Sequence, residues 1–111
     1  MSQFIDIAAL DDIPRQGARV VKTPIGCIAI FRTATDEVYA LDDRCPHKGG
    51  PLSEGIVHGT QVTCPLHGMV FDLATGLAQG ADEGRVGSFA VRVKDGRVLL
   101  DADFMARRSA A

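Results

Sequence analysis

Two short loops of this chain repeat one theme, Cys45-Pro46-His47-Lys48-Gly49-Gly50 and Cys64-Pro65-Leu66-His67-Gly68. Each offers one thiolate and one imidazole, spaced Cys-x-His and then Cys-x-x-His, with sixteen residues (48–63) between His47 and Cys64. A fold that uses all four must return the chain on itself within that spacer. Two thiolates and two imidazoles suit either tetrahedral zinc or a [2Fe-2S] cluster in which two His replace two Cys on one iron. Zinc fingers usually place a Cys pair on one knuckle and a His pair on a helix. Here each loop mixes the two ligand types, which lets two irons share both loops. Gly49, Gly50 and Gly68 suit backbone turned close to an inorganic core, because glycine adopts positive φ and leaves N–H groups unobstructed. Pro46 and Pro65 stiffen both turns.

A length of 111 residues with 46% hydrophobic content predicts one domain, 1–111, able to bury a core without disulfides. Of three cysteines, two belong to the loops, and the third, Cys27, has no partner left for a disulfide framework, in keeping with a reducing compartment. Cys27 lies in the apolar run from Ile25 to Phe31 and is predicted to be a small core residue. That run is far too short for a membrane span. The start of the chain has neither a basic region nor a long apolar one, so a cytoplasmic protein is expected. The net charge of −2, without a basic stripe, argues against nucleic acid as a partner, and Arg107-Arg108 does not change that.

Along the chain, short segments of β-formers alternate with Gly and Pro turns, and no sustained helical period appears. Strands are predicted at 3–8, 19–22, 25–33, 38–41, 69–72, 86–94 and 97–100, the third of them buried on both faces. Turns are predicted at Asp11-Asp12-Ile13-Pro14, Thr23-Pro24, Asp36-Glu37, Thr75-Gly76 and Asp95-Gly96, the last a strong hairpin signal. The spacer from Gly55 to Thr63 reads as a hairpin turning near His58-Gly59, which would bring the two loops to the same side. His58 is then a solvated turn residue rather than a further ligand. The last ten residues show little periodicity, as a frayed tail or a single helical turn would. The expected fold is all-β, an antiparallel sandwich or barrel.

The two loops resemble the motif of Rieske-type [2Fe-2S] domains, and all four ligand positions match. The resemblance implies one [2Fe-2S] cluster per chain, with Cys45 and Cys64 on the inner iron and His47 and His67 on the outer iron. It covers nearly the whole chain and implies a cluster-binding subdomain, about residues 44–71, inserted in a basal β domain. Two thiolates and neutral imidazoles leave the oxidised cluster formally neutral, so an electron is added more readily than to a four-cysteine cluster. Potentials accordingly lie at roughly −150 mV or higher, against about −400 mV for plant-type ferredoxins. Each ligating imidazole keeps a second N–H that iron acidifies, so the potential is expected to fall as pH rises through that ionisation.

High-potential relatives carry hydroxyl residues two and four places after the second His, where this chain has Met69 and Phe71, and a loop-bridging disulfide where it has Gly50 and Leu66. Both departures imply a low potential, suited to electrons from a nicotinamide or flavin. Lys48, Pro51 and Leu66 are expected to collar the outer histidines, with Lys48 chiefly a solvated loop lysine. No mononuclear iron triad, activated nucleophile or phosphate loop is seen, so the chain is expected to move electrons and leave catalysis to a partner. Among subfamilies, the small subunit of NAD(P)H-dependent nitrite reductase is the most similar, through residues 45–53, 55–59, 62–67, Asp82-Glu83-Gly84 and the opening Phe4-Ile5-Asp6-Ile7. That resemblance implies a large flavin and sirohaem subunit as partner, reducing nitrite to ammonia; Gly68-Met69 departs from its frequent Asn-Trp. Next come the ferredoxins of aromatic-ring dioxygenases, which would imply an oxygenase and its reductase. Those usually carry a Trp where Leu66 stands and a later Pro-rich segment where this chain reads Gly80-Ala81-Asp82-Glu83-Gly84.

Overall fold

The computed structural model describes residues 4–23, 26–43, 51–65, 68–79 and 84–101. Among these residues ten strands follow one another: β1 (Phe4–Ala9), β2 (Gly17–Thr23), β3 (Gly26–Arg32), β4 (Val38–Asp42), β5 (Ile56–His58), β6 (Gln61–Thr63), β7 (Val70–Asp72), β8 (Ser88–Phe89), β9 (Val91–Lys94) and β10 (Arg97–Asp101). No α-helix occurs among the described residues, and all pairings between strands are antiparallel. The all-β reading stands.

The strands form three sheets, ordered β1-β10-β9, β2-β3-β4-β8 and β5-β6-β7. β3 explains the layering. It is buried from Ile28 to Arg32, as its apolar run predicts. Alternate residues of a strand point to opposite faces, and here the two faces feed two cores. Ile28 and Ile30 join Ile13, Ala40, Phe89, Val98 and Leu100. Ala29 and Phe31 join Leu41, Leu52, Val57, Val62, Cys64 and Phe71. The middle sheet therefore lies between the other two. The third sheet is built wholly from residues that lie, in sequence, between β4 and β8 of the middle one.

Several expected boundaries move. The strand expected over 86–94 is divided: β8 pairs with β4, β9 with β10, and Ala90 between them is where the chain changes sheets. A straight strand cannot ladder with two differently oriented sheets, and a bend at the corner resolves this. Val86 precedes the strand and donates its N–H to the Gly76 carbonyl. The turn expected at 11–14 contains a single 3-10 turn, Leu10–Asp12, followed by the fully buried Ile13. Asp95 and Gly96 both have positive φ, 52° and 74°, which suits the tight two-residue hairpin expected there. The Thr75-Gly76 turn is present, with Gly76 at φ 78°. Gln3, Pro24 and residues 102–111 lie outside the described residues.

Cys27 requires a correction. It is exposed rather than a core residue. The β3–β4 ladder starts at Ile28↔Asp42, so Gly26 and Cys27 project past the end of β4 and past the layers that cover Ile28–Arg32. At the other end of β3 a polar residue is buried: Arg32 donates from Nη1 to the carbonyls of Leu10 (3.1 Å) and Ile13 (2.8 Å) and from Nε to Asp36 Oδ1 (3.0 Å). This guanidinium ties the 3-10 turn to the turn holding Asp36, whose φ is 67°.

Candidate metal centre

Cys64 is the one proposed ligand among the described residues; Cys45, His47 and His67 lie outside them, as do Pro46, Lys48, Gly49, Gly50, Leu66 and residues 80–83. What the structure shows is how the flanks of both loops are held. On the entry side of the first loop, the end of β4 is anchored in two directions. Asp42 donates its N–H to the Gly87 carbonyl (2.8 Å), and Asp43 donates its own to the Cys27 carbonyl (3.1 Å). On the exit side, a 3-10 turn, Leu52–Glu54, drives Leu52 fully into the core that also contains Cys64. Glu54 and Gly55 close that turn by donating to the carbonyls of Pro51 (3.2 Å) and Leu52 (2.9 Å). The two flanks meet through side chains: Asp43 accepts from the Ser53 N–H at Oδ1 (2.7 Å) and from the Ser53 hydroxyl at Oδ2 (2.9 Å).

The second loop follows from the hairpin. β5 and β6 pair as Ile56↔Thr63, Val57↔Val62 and His58↔Gln61. The loop is Gly59-Thr60, with Gly59 at φ 57°, where a glycine is favoured at the first position of a two-residue hairpin loop. The hairpin expected near His58-Gly59 is thus present and delivers Thr63 back to the level of Ile56. Cys64 then donates its N–H to the Met69 carbonyl (2.7 Å) and its carbonyl accepts from the Gly68 N–H (3.1 Å), so the two sides of the second loop are bonded to each other. Gly68 sits at φ 71°, as its expected role in turning the backbone requires.

Gly55 joins the two loops. A Cβ built there would sit against the Thr63 carbonyl oxygen, closer than real atoms approach, and against a Val62 methyl and the Leu52 carbonyl. Its φ of −75° is open to any residue, so space and not backbone conformation demands glycine here. His58, exposed, places Nε2 2.7 Å from Thr63 Oγ1, which makes it a hydrogen-bonded surface residue of the hairpin. Sequence reasoning missed Asp43, Ser53 and Gly55. Nothing in a single Asp or Ser ten residues apart signals a pairing, and Gly55 reads as an ordinary turn glycine.

Met69 and Phe71, which the sequence places where hydroxyl donors would otherwise stand, are both buried in the core around Cys64. Among the described residues, the ionisable groups with displaced pKa lie away from the flanks of the loops. The Arg15 and Arg32 guanidinium groups beside Asp36 hold its carboxyl below the usual range. Burial, and then Glu37, push the Tyr39 phenol up. No helix among the described residues is long and apolar enough to cross a membrane.

Residues 3–101 match the family model of the Rieske-like [2Fe-2S] domain. The chain is 35% identical over 98 residues to the ferredoxin component of the naphthalene 1,2-dioxygenase/salicylate 5-hydroxylase systems of Ralstonia sp., covering 87% of this chain and 93% of that one. Among solved structures it is similar to a chain of the complex of reduced oxygenase and oxidized ferredoxin in carbazole 1,9a-dioxygenase, with a TM-score of 0.77, 32% identity, and coverage of 86% of this chain and 99% of that one. It is also similar to a protein solved under the name nitrite reductase NADPH small subunit, with a TM-score of 0.80, 27% identity, and coverage of 90% and 99%. The described part of the site fits a cluster of this kind. Cys64 is 1% exposed in an apolar surround, suited to a ligand on the inner side. Its loop carries a glycine at positive φ with open space where a Cβ would stand, and thiolate with imidazole is the donor set that such a cluster uses.

Proposed function

This chain belongs to the Rieske-like [2Fe-2S] family of electron-transfer proteins, and from that premise we propose that it is the ferredoxin of a ring-hydroxylating oxygenase system, working in the cytoplasm. The [2Fe-2S] cluster supplies one-electron chemistry, with no bond to substrate made or broken. We assign its ligands to Cys45 and Cys64 on the inner iron and to His47 and His67 on the outer one, within a cluster-binding segment of about 44–71. The chain's own residues bind and orient: Leu52 and Met69 seat the loop flanks in the core, and Gly55 lets them approach.

The observation that carries this reading is the 35% identity with a ferredoxin component along 93% of that relative's length. The Met69 position supports it. Nitrite reductase small subunits often carry Asn-Trp at 68–69. Asn would tolerate the φ of 71° at Gly68, so that difference carries no weight. Met69, 7% exposed, packs in the core around Cys64, so the residue that departs from that pattern is a core position rather than a surface one. Buried Met69 and Phe71 offer no hydroxyl donor, which supports a low potential.

The second reading is the small subunit of nitrite reductase, supported by the likeness in fold to the protein of that name and by the motif segments quoted above. One experiment separates the two. The reduced holoprotein is mixed in a stopped-flow instrument with the terminal oxygenase of a ring-hydroxylating system, and separately with a sirohaem nitrite reductase large subunit. Rapid, salt-sensitive reoxidation by the oxygenase without a complex on gel filtration is the expected result. A stoichiometric complex with the sirohaem subunit that consumes nitrite would overturn the ferredoxin reading in favour of the second.

A further inference from the structure

We propose that Asp43 is a positioning residue that clasps the first ligand loop through Ser53 and so governs how tightly the chain retains its cluster. The inference rests on the ligand assignment above, because the interval closed by the clasp contains Cys45 and His47.

The geometry is specific. Both carboxylate oxygens are used, Oδ1 by the Ser53 N–H at 2.7 Å and Oδ2 by its hydroxyl at 2.9 Å, across ten residues and in a part-buried setting. Hydrogen bonds to an ionised acceptor are the stronger kind. Each end of the clasp is itself held. The backbone of Asp42 and Asp43 is bonded to Gly87 and to Cys27, on two different segments. Ser53 stands in a 3-10 turn next to Leu52, which is fully buried. The clasp thus joins two anchored points. Their separation sets the span that residues 44–52 must bridge, while metal ligation tolerates errors of only about 0.2 Å in bond length. Loss of outer groups that orient metal ligands costs about 10–100-fold in metal affinity, and a side chain that fixes the span of a ligand-bearing loop orients its ligands through the backbone.

The test uses the holoprotein and measures cluster release to an iron chelator by loss of visible absorbance, with the EPR spectrum of the reduced state recorded alongside. Asp43→Ala and Ser53→Ala should each release the cluster about tenfold faster. The double variant should be no faster than Asp43→Ala, because Asp43→Ala already removes both arms of the clasp, including the one that Ser53→Ala removes. Asp43→Asn should restore slow release, since its amide oxygen still accepts from the Ser53 N–H and its NH2 donates to the Ser53 oxygen. Wild-type release rates in both alanine variants would overturn the proposal, as would an Asp43→Asn variant as fast as Asp43→Ala. If Asp43→Ala fails to fold, Ser53→Ala, which keeps the backbone arm, decides alone by the same criterion. A Cys45→Ala control tests the ligand assignment separately: retention of a wild-type EPR spectrum there would remove the premise and not the clasp.

Discussion

Asp36 shows how one residue can hold a turn that its own conformation disfavours. Its φ of 67° is uncommon for a non-glycine residue. The carboxylate accepts from Arg15 Nε and Arg32 Nε, each at 3.0 Å, and Arg32 carries the link on to the buried carbonyl of Ile13. These partners, Arg15 first, lower the pKa of Asp36 in the folded chain. On acidification the unfolded chain therefore takes up this proton first. The stabilisation is present above the ordinary carboxylate value, about pH 4, and is lost as pH falls through the lower folded value. We expect thermal unfolding of the wild type to lie above that of Asp36→Asn at pH 6 and the gap to shrink on titration to about pH 3. Added salt should narrow the gap at pH 6, because the Arg15 pair is exposed. A gap that widens on acidification would contradict this account. The turn at Asp36 was legible in the sequence. The partners of Arg32 were not, because nothing local to the strand shows that the Leu10–Asp12 turn folds over its guanidinium.

At the scale of elements, two glycines separate space from conformation. Gly96 closes the β9–β10 hairpin at φ 74° with nothing within reach of an added Cβ, whereas Gly55 has an ordinary φ and no room. Gly96→Ala should cost roughly 1–2 kcal/mol of stability from backbone strain and leave the cluster spectrum unchanged. Gly55→Ala should cost about 1–3 kcal/mol from overpacking and, since it pushes the two loops apart, also lower the iron content of the purified protein. Denaturant unfolding together with iron assay checks both. Full iron content in Gly55→Ala would show that the contact with Thr63 does not set the loop spacing. The glycine of the Asp95-Gly96 turn was readable from the dipeptide alone. The need at Gly55 was not, because it arises from Thr63, which the hairpin brings back against it.

For the whole molecule, the division into two cores has a consequence for cluster removal. The core that contains Cys64 joins the third sheet to the middle one, while the other joins the middle sheet to β1-β10-β9 and, among the described residues, includes no proposed ligand. Chelation of iron should therefore raise amide exchange over residues 51–72 and leave β1, β9 and β10 protected, as read by hydrogen exchange with mass spectrometry. Uniform loss of protection would mean that the two cores unfold as one unit. The same division bears on Cys27: the strand that carries it was correctly read as buried on both faces, but the covering layers stop at Ile28, and only their observed extent exposes the thiol.

By itself, the sequence determined the hairpin that returns the spacer, the tight turns and the all-β class, and it is the source of the proposed donor set. Each of these is encoded locally, in residue type, in period two or in a glycine at a turn. Tertiary structure alone decided which strands share a sheet, where the chain changes sheets at Ala90, which carbonyls the buried Arg32 meets, that Cys27 is exposed, and that Asp43 meets Ser53. These depend on surfaces made by segments far apart in the chain, and a local pattern carries no record of what will be packed against it.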